Sequence, residues 1–211
     1  MIRLFGPVKK ITAVAVSGGP DSMAALTFLG RTHPDLTAFY FHHGTEHGEI
    51  AHAFVKDFCN QKGIRLIIGH LTSEKPDGDS WEEFWRNQRY TFLHSQKNHL
   101  IATAQHLDDV AETYLWSCLH GQARFIHYCQ PGPNGPTNII RPFLLTTKRD
   151  LLDWCQRHQI PYLLDPSNED TSYARNRIRH KLMPEALQIN PGLLTVVKKL
   201  LVKRLNEEHH E

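Results

Sequence analysis

The chain is poor in cysteine, in net charge and in long apolar runs, and each shortage removes a class of protein. Its four cysteines, Cys59, Cys118, Cys129 and Cys155, form no CxxC pair and are too scattered for a disulfide scaffold or a structural zinc site. Lys plus Arg number 24 and Asp plus Glu 22, a formal net charge of +2. That is far from the excess of a protein that coats nucleic acid, so any contact with a phosphate backbone must be a local patch. Residues 141–211 are the more basic part, with 12 basic and 9 acidic side chains. No run approaches the length of a membrane span, about 18 apolar residues. The apolar stretch near the N-terminus leads into a glycine turn rather than a small-residue cleavage site, so it reads as a first strand. A cytoplasmic protein without membrane contact is expected. What remains, 211 residues at 40% hydrophobic, suits one α/β core with a short helical appendage.

Apolar, β-branched runs at 11–16, 36–41, 64–68 and 100–103 alternate with helical spacing at 23–31, 50–59, 81–96 and 110–120. Repeated strand and helix imply a three-layer α/β fold, a mostly parallel twisted sheet of Rossmann-like type with right-handed crossovers. Gly63 and Gly121 stop two of the helices, and Ser80 with Glu83 forms a capping box for another. Residues 129–138 hold three prolines and two glycines and are expected as a surface loop before a short last strand at 139–140. A helix at 148–158 precedes a polar loop, a basic helix at 174–181 and an amphipathic helix at 192–205. The domain expectation is a catalytic part over 1–160 and a helical extension over 161–211 that closes the site.

Four groups of residues carry chemistry. Ser17-Gly18-Gly19-Pro20-Asp21-Ser22 follows a strand and opens a helix. Glycines let backbone N–H groups approach phosphate oxygens, and the helix start adds partial positive charge. The spacing is neither a Walker loop nor a dinucleotide fingerprint. In His106-Leu107-Asp108-Asp109-Val110-Ala111-Glu112, Asp108 and Glu112 stand at i and i+4 on one helix face with Asp109 beside them, a set suited to a cation or an amine. Glu82, Arg86, Arg89 and Tyr90 share a third face, otherwise an ordinary salt-bridge ladder. Arg175, Arg177 and Arg179, with Asn168 and Asn176, supply donor forks for phosphate or carboxylate.

The glycine loop resembles the pyrophosphate loop of the ATP pyrophosphatases, and the four groups together resemble the tRNA(Ile)-lysidine synthetases. The match includes the Arg141-Pro142 turn and DPSNEDxxxxRNRIRHxLMP, and runs from about residue 11 to 191. The resemblance implies an ATP-dependent ligase. ATP adenylates O2 of the wobble cytidine in tRNA(Ile) with a CAU anticodon, then the lysine ε-amine attacks C2 and expels AMP. It implies that Ser17, Gly18, Gly19, Pro20 and Ser22 cradle pyrophosphate and that Asp21 and Asp109 hold Mg²⁺. Asp108, Asp109 and Glu112 then handle lysine and metal, and Glu82, Arg86 and Arg89 line the cytidine and lysine entrance. His43, His106, Arg175 and Arg179 fall to the nucleotide or RNA phosphates.

The chain departs from the family at Glu46, which stands where arginine is common, and in the stretch after Gly121, which lacks the usual glycines. A minimal member, acting alone or as a homodimer, is expected. The other readings are another tRNA-modifying enzyme of the superfamily, a small-molecule adenylating synthetase and a noncatalytic RNA-binding descendant. The isolated cysteines disfavour a thiolase.

Overall fold

Four short runs of apolar and β-branched residues form parallel strands: β1 (Ala13–Val16), β2 (Thr37–His42), β3 (Arg65–His70) and β4 (Ile101–Ala102). The computed structural model describes residues 1–6, 8–78, 80–132 and 135–208. β1 lies between β2 and β4, with Val14 opposite both Ala38 and Ala102. β2 is buried along its whole length, as an inner strand covered on both faces must be. Beyond β4 come β6 (Gly135–Ile140), parallel to it, and β5 (Cys129–Gly132), antiparallel at the edge, giving the order β3-β2-β1-β4-β6-β5.

The expected loop at 129–138 is therefore a β-hairpin. Its prolines and glycines are compatible with an edge, where one side of the strand needs no ladder partner, and the register is irregular between Gln130 and Gly132. Pro133 and Asn134, which belong to that expected loop, lie outside the described residues.

The helices are α1 (Pro20–Gly30), α2 (Glu46–Lys62), α3 (Trp81–Ser95), α4 (Leu107–Leu119) and α5 (Lys148–Arg157). α2 and α4 start earlier than periodicity suggests because each has a side-chain cap upstream of its apolar face. Thr45 accepts from the Gly48 N–H, and His106 from the Asp109 N–H. Gly63, at φ +66°, ends α2 in the left-handed conformation expected of a C-terminal glycine. Strand alternation splits the core. Val14 and Val16 join the larger apolar cluster with Met23, Leu26 and Val110, while Ala13 and Phe39 join a smaller one with Tyr90 and Leu93 of α3.

The basic segment is not one helix. It runs as α6 (Ala174–Arg177), a π turn (Ile178–Leu182) and α7 (Met183–Ile189), followed by α8 (Leu193–Glu208). Val197, Leu201 and Leu205 of α8 are buried in the same cluster as β1 and α1, and α8 packs on α4. The C-terminal helices thus share the main core. None of the four cysteines forms a disulfide; Cys118 is exposed on α4, whereas Cys155 is buried. No helix among the described residues is long and apolar enough to cross a membrane.

The topology itself selects a site. The chain passes from β1 outward to β2 and β3, then returns to β4 on the other side of β1. The crevice between the C-terminal ends of β1 and β4 is the switch point where open α/β sheets bind ligands. The Ser17–Gly19 turn leaves β1 there, and His106 follows β4 there.

Candidate active site

Gly18 has φ +85°, which a side chain rarely adopts, and a Cβ there would meet Phe54 and Val55 of α2 at 3.5 Å. Its carbonyl accepts from the Leu163 N–H at 2.9 Å, which fastens the polar loop before α6 over the turn. Gly19 is the extended N-cap of α1 and brings no capping side chain, with Pro20 at the first helical position. Ser22 Oγ donates to the Gly19 carbonyl at 3.0 Å and accepts from the Ser17 N–H at 3.1 Å, so the turn is tied from within. The result is a helix N-terminus behind two glycines, with no side chain capping its first amides. Such a terminus attracts an anion such as a phosphate chain.

Opposite stands the cluster from α4. His106 Nε2 lies 3.5 Å from Asp21 Oδ2 and 3.5 Å from Asp109 Oδ2, and Nδ1 lies 3.7 Å from Asp108. Burial opposes a charge on His106, but Asp109, Asp21 and Asp108 together outweigh it and raise its pKa. Asp109 accepts from the His106 N–H at 3.0 Å. Burial would raise its pKa, yet His106, Arg175, that N–H bond and Arg179 together hold it below the usual carboxylate range.

The helix-face expectation pairs Asp108 with Glu112; the structure pairs Asp109 with Glu112 instead. Asp108 turns away and accepts from the Lys148 N–H at 2.7 Å, linking the starts of α4 and α5. Asp109 and Glu112 meet the two arginines. Arg175 is 3.1 Å from Asp109 and 3.6 Å from Glu112; Arg179 bonds both oxygens of Glu112, at 2.8 and 2.9 Å. These arginines, expected on phosphates, face carboxylates. Glu112 and Asp109 counter the burial penalty on Arg179 and raise its pKa further. Arg177 is exposed, and Asn176 donates to the Ser167 and Asp170 carbonyls, so it shapes the loop.

On α3, the guanidinium groups of Arg86 and Arg89 lie 4.9 and 5.8 Å from the Tyr90 ring centre. Arg141 donates to Tyr90 Oη at 3.2 Å and to the His127 carbonyl at 2.7 Å. Burial would raise the Tyr90 phenol, but Arg141, Arg86 and Arg89 pull it below its ordinary value. Arg89 is half-buried; burial, Arg86 and Arg175 lower its pKa against the pull of Tyr90. His43 sits beside this group. Burial, Arg89 and His42 push its imidazole down to about 4, with Asp165 acting the other way. Glu82 is exposed in the first turn of α3. Glu46 is exposed in the first turn of α2, where a carboxylate suits the helix dipole.

Asp21 Oδ1 is buried and has no hydrogen-bond partner among the described residues. A hard, unpaired oxygen beside an anion-binding turn fits Mg²⁺, which prefers one or two carboxylates together with substrate phosphates. Asp109 fits less directly, since both its oxygens are engaged. Outside the four groups stand Asp165, 3.8 Å from His47 and near enough to act on the charge of His43, and Trp81 and Trp85 on α3. The signal for the tryptophans was their i, i+4 spacing among the arginines.

A PP-loop domain family profile matches residues 4–186. A curated tRNA(Ile)-lysidine synthase of Haemophilus ducreyi is 31% identical over 97% of this chain and 51% of its own. One from Neisseria meningitidis serogroup B is 34% identical over 83% of this chain and 43% of its own. The chain spans about half the length of these curated relatives. Among solved structures, the U34-tRNA thiolase NcsA of Methanococcus maripaludis superposes with a TM-score of 0.76 over 96% of this chain and 75% of its own; at 18% identity it shows the fold.

Proposed function

The chain belongs to the PP-loop family, in company with the tRNA(Ile)-lysidine synthases, and from that premise we propose that it is an ATP-dependent carbon–nitrogen ligase forming lysidine in tRNA(Ile). The observation that carries the reading is the uncapped start of α1 facing the Asp21, His106, Asp109 and Glu112 cluster across the switch point. An anion site and a carboxylate site stand together, as adenylation followed by attack of an amine requires.

In this reading the amides around Ser17, Gly18, Gly19 and Ser22 hold the β and γ phosphates. O2 of the wobble cytidine attacks the α phosphorus, the bond to the β-phosphate oxygen breaks, and pyrophosphate leaves. The lysine ε-amine then attacks C2, loses a proton, and AMP departs with the C2–O2 bonding pair. Asp21 would hold Mg²⁺, whose charge would offset the negative charge developing on the phosphates. Asp109 and Glu112 orient the lysine ammonium, and a carboxylate accepts its proton. Arg175 and Arg179 must yield part of their hold on those carboxylates as lysine enters. Residues 1–160 act as the catalytic part, while 161–211 close the site and meet the RNA.

The test supplies ATP, Mg²⁺, labelled lysine and a CAU-anticodon tRNA(Ile) transcript, with tRNA(Met) as control. Label entering tRNA(Ile) alone, with AMP released, is the expected result. AMP without label would point to another nucleophile, and no AMP would sink the ligase reading.

A further inference from the structure

The adenylation chemistry leaves two tryptophans on α3 unused. Trp81 is 51% exposed, and its ring centre lies 5.4 Å from that of Trp85 at an interplanar angle of 34°. The Lys75 ammonium stands 5.6 Å from the Trp81 ring. Trp81 meets the buried Phe84 edge-on at 6.0 Å, yet much of its indole stays in solvent beside a second tryptophan, apolar surface that the core of Phe39, Tyr90 and Leu93 does not use. Deeper in, Trp85 Nε1 is buried without a hydrogen-bond partner among the described residues, and so is His43 Nδ1 on a ring 5.8 Å away. Two unpartnered polar atoms on neighbouring rings are costly unless a ligand satisfies them.

The pair adjoins the site. His43 feels the charge of Arg89, Arg89 that of Arg175, and Arg175 pairs with Asp109. We propose that Trp81 and Trp85 form a stacking platform for an unpaired base of a single-stranded RNA loop, whose edge is read by Trp85 Nε1 and His43 Nδ1. The inference rests on the RNA-modifying reading above and names a base-binding subsite beside the ATP crevice.

The chemistry is specific to such a ligand. Every nucleobase has a face that stacks on indole, and unpaired loops expose those faces as duplexes do not. Trp85 contributes a donor, and a neutral imidazole contributes a donor or an acceptor according to tautomer, so the pair matches the mixed edge of a base. Lys75 stands against Trp81, and Arg86 and Arg89 follow on the same helix against Tyr90, which supplies positive charge for a phosphate backbone.

The experiment measures binding of three fluorescent RNAs: a hairpin with an unpaired CAU loop, the same hairpin with abasic loop positions, and a blunt duplex. Trp81→Ala should weaken the intact hairpin by about tenfold. It should leave the abasic hairpin, the duplex and a fluorescent ATP analogue bound as in the parent protein. Trp81→Phe should keep most of the affinity. Trp85→Phe, which retains a ring and deletes the N–H, should weaken only the intact loop. Unchanged hairpin affinity in Trp81→Ala overturns the platform, as it would if this face served a protein. Equal losses on all three RNAs overturn it too. Lysine transfer by the parent with neutral Trp81 variants would refute the platform and keep the ligase. A parent that stacks other loops as well as CAU, with no lysine transfer, would do the reverse.

Discussion

Arg179 grips Glu112 side-on, Nε to Oε1 at 2.8 Å and Nη2 to Oε2 at 2.9 Å, and the same Nη2 reaches Asp109 Oδ1 at 3.3 Å. This joins the C-terminal segment to α4 by a fork of charge-assisted bonds, stronger than ordinary neutral ones. Arg179→Ala would leave Glu112, 6% exposed, without its main counter-charge. The expected loss is about 3 kcal/mol in urea unfolding, the scale for breaking a buried pair from one side. Arg179→Met combined with Glu112→Leu should recover much of it. A loss under about 1 kcal/mol in the single variant would show that the pair behaves like a surface contact.

Gly18→Ala tests the turn. The added methyl would make ordinary contacts with Phe54 and Val55 at 3.5 Å, so the cost comes from φ +85° and not from a clash. That strain is worth about 1–2 kcal/mol. If the turn relaxes, its amides move away from the anion, and ATP affinity should fall by more than stability does. Calorimetric titration with ATP alongside thermal unfolding separates the two. Unchanged ATP affinity would place the phosphates elsewhere.

Much of this arrangement was legible in the sequence because β1, β2 and β4 are short apolar runs closed by a glycine or a cap. Ser80 and Gly63 mark helix ends that depend on local geometry alone. Ile139 and Ile140 were legible as a last short strand, and they are the residues of β6 that pair with β4; the rest of the hairpin was not, since proline and glycine there signal a turn and only the pairing of β5 with β6 makes them strands. The site was readable as residue types but not as partners. Helical spacing favours Asp108 as the partner of Glu112, and the Lys148 N–H, which draws Asp108 aside, comes 40 residues later. Nor could spacing reveal that Arg175 and Arg179 meet Asp109 and Glu112 across 66 and 67 residues.

Asp21→Asn addresses the group with an unpaired oxygen. Because Oδ1 has no hydrogen bond to lose and the contact to His106 is a loose 3.5 Å, stability should change by less than about 1 kcal/mol. RNA-dependent AMP release should nevertheless drop by about a hundredfold or more, the scale for removing one electrostatic stabiliser of a transition state. The half-saturating Mg²⁺ concentration should rise. Normal AMP release at normal Mg²⁺ would remove Asp21 from the proposed machinery.

His43 provides a pH test whose sign follows from its surroundings. Burial, with Arg89 and His42, lowers its pKa from the ordinary value of 6.5 to about 4. Between those values the unfolded chain binds a proton that the folded chain does not, so stability rises with pH across that interval. The contribution is fully present above 6.5 and is lost as pH falls towards 4. Urea unfolding of the parent and of His43→Gln at steps from pH 7 to pH 4 isolates it: the variant should lose less stability on acidification, by about one proton's linkage at the steepest part. Direct NMR titration of the ring should give a midpoint near 4. Because the shift partly reflects Arg89, Arg89→Met should move that midpoint upward while leaving the burial contribution in place. A midpoint near 6.5 in the parent would mean that the ring is solvated and charged at mildly acidic pH, and that its neutral edge is unavailable to a base there.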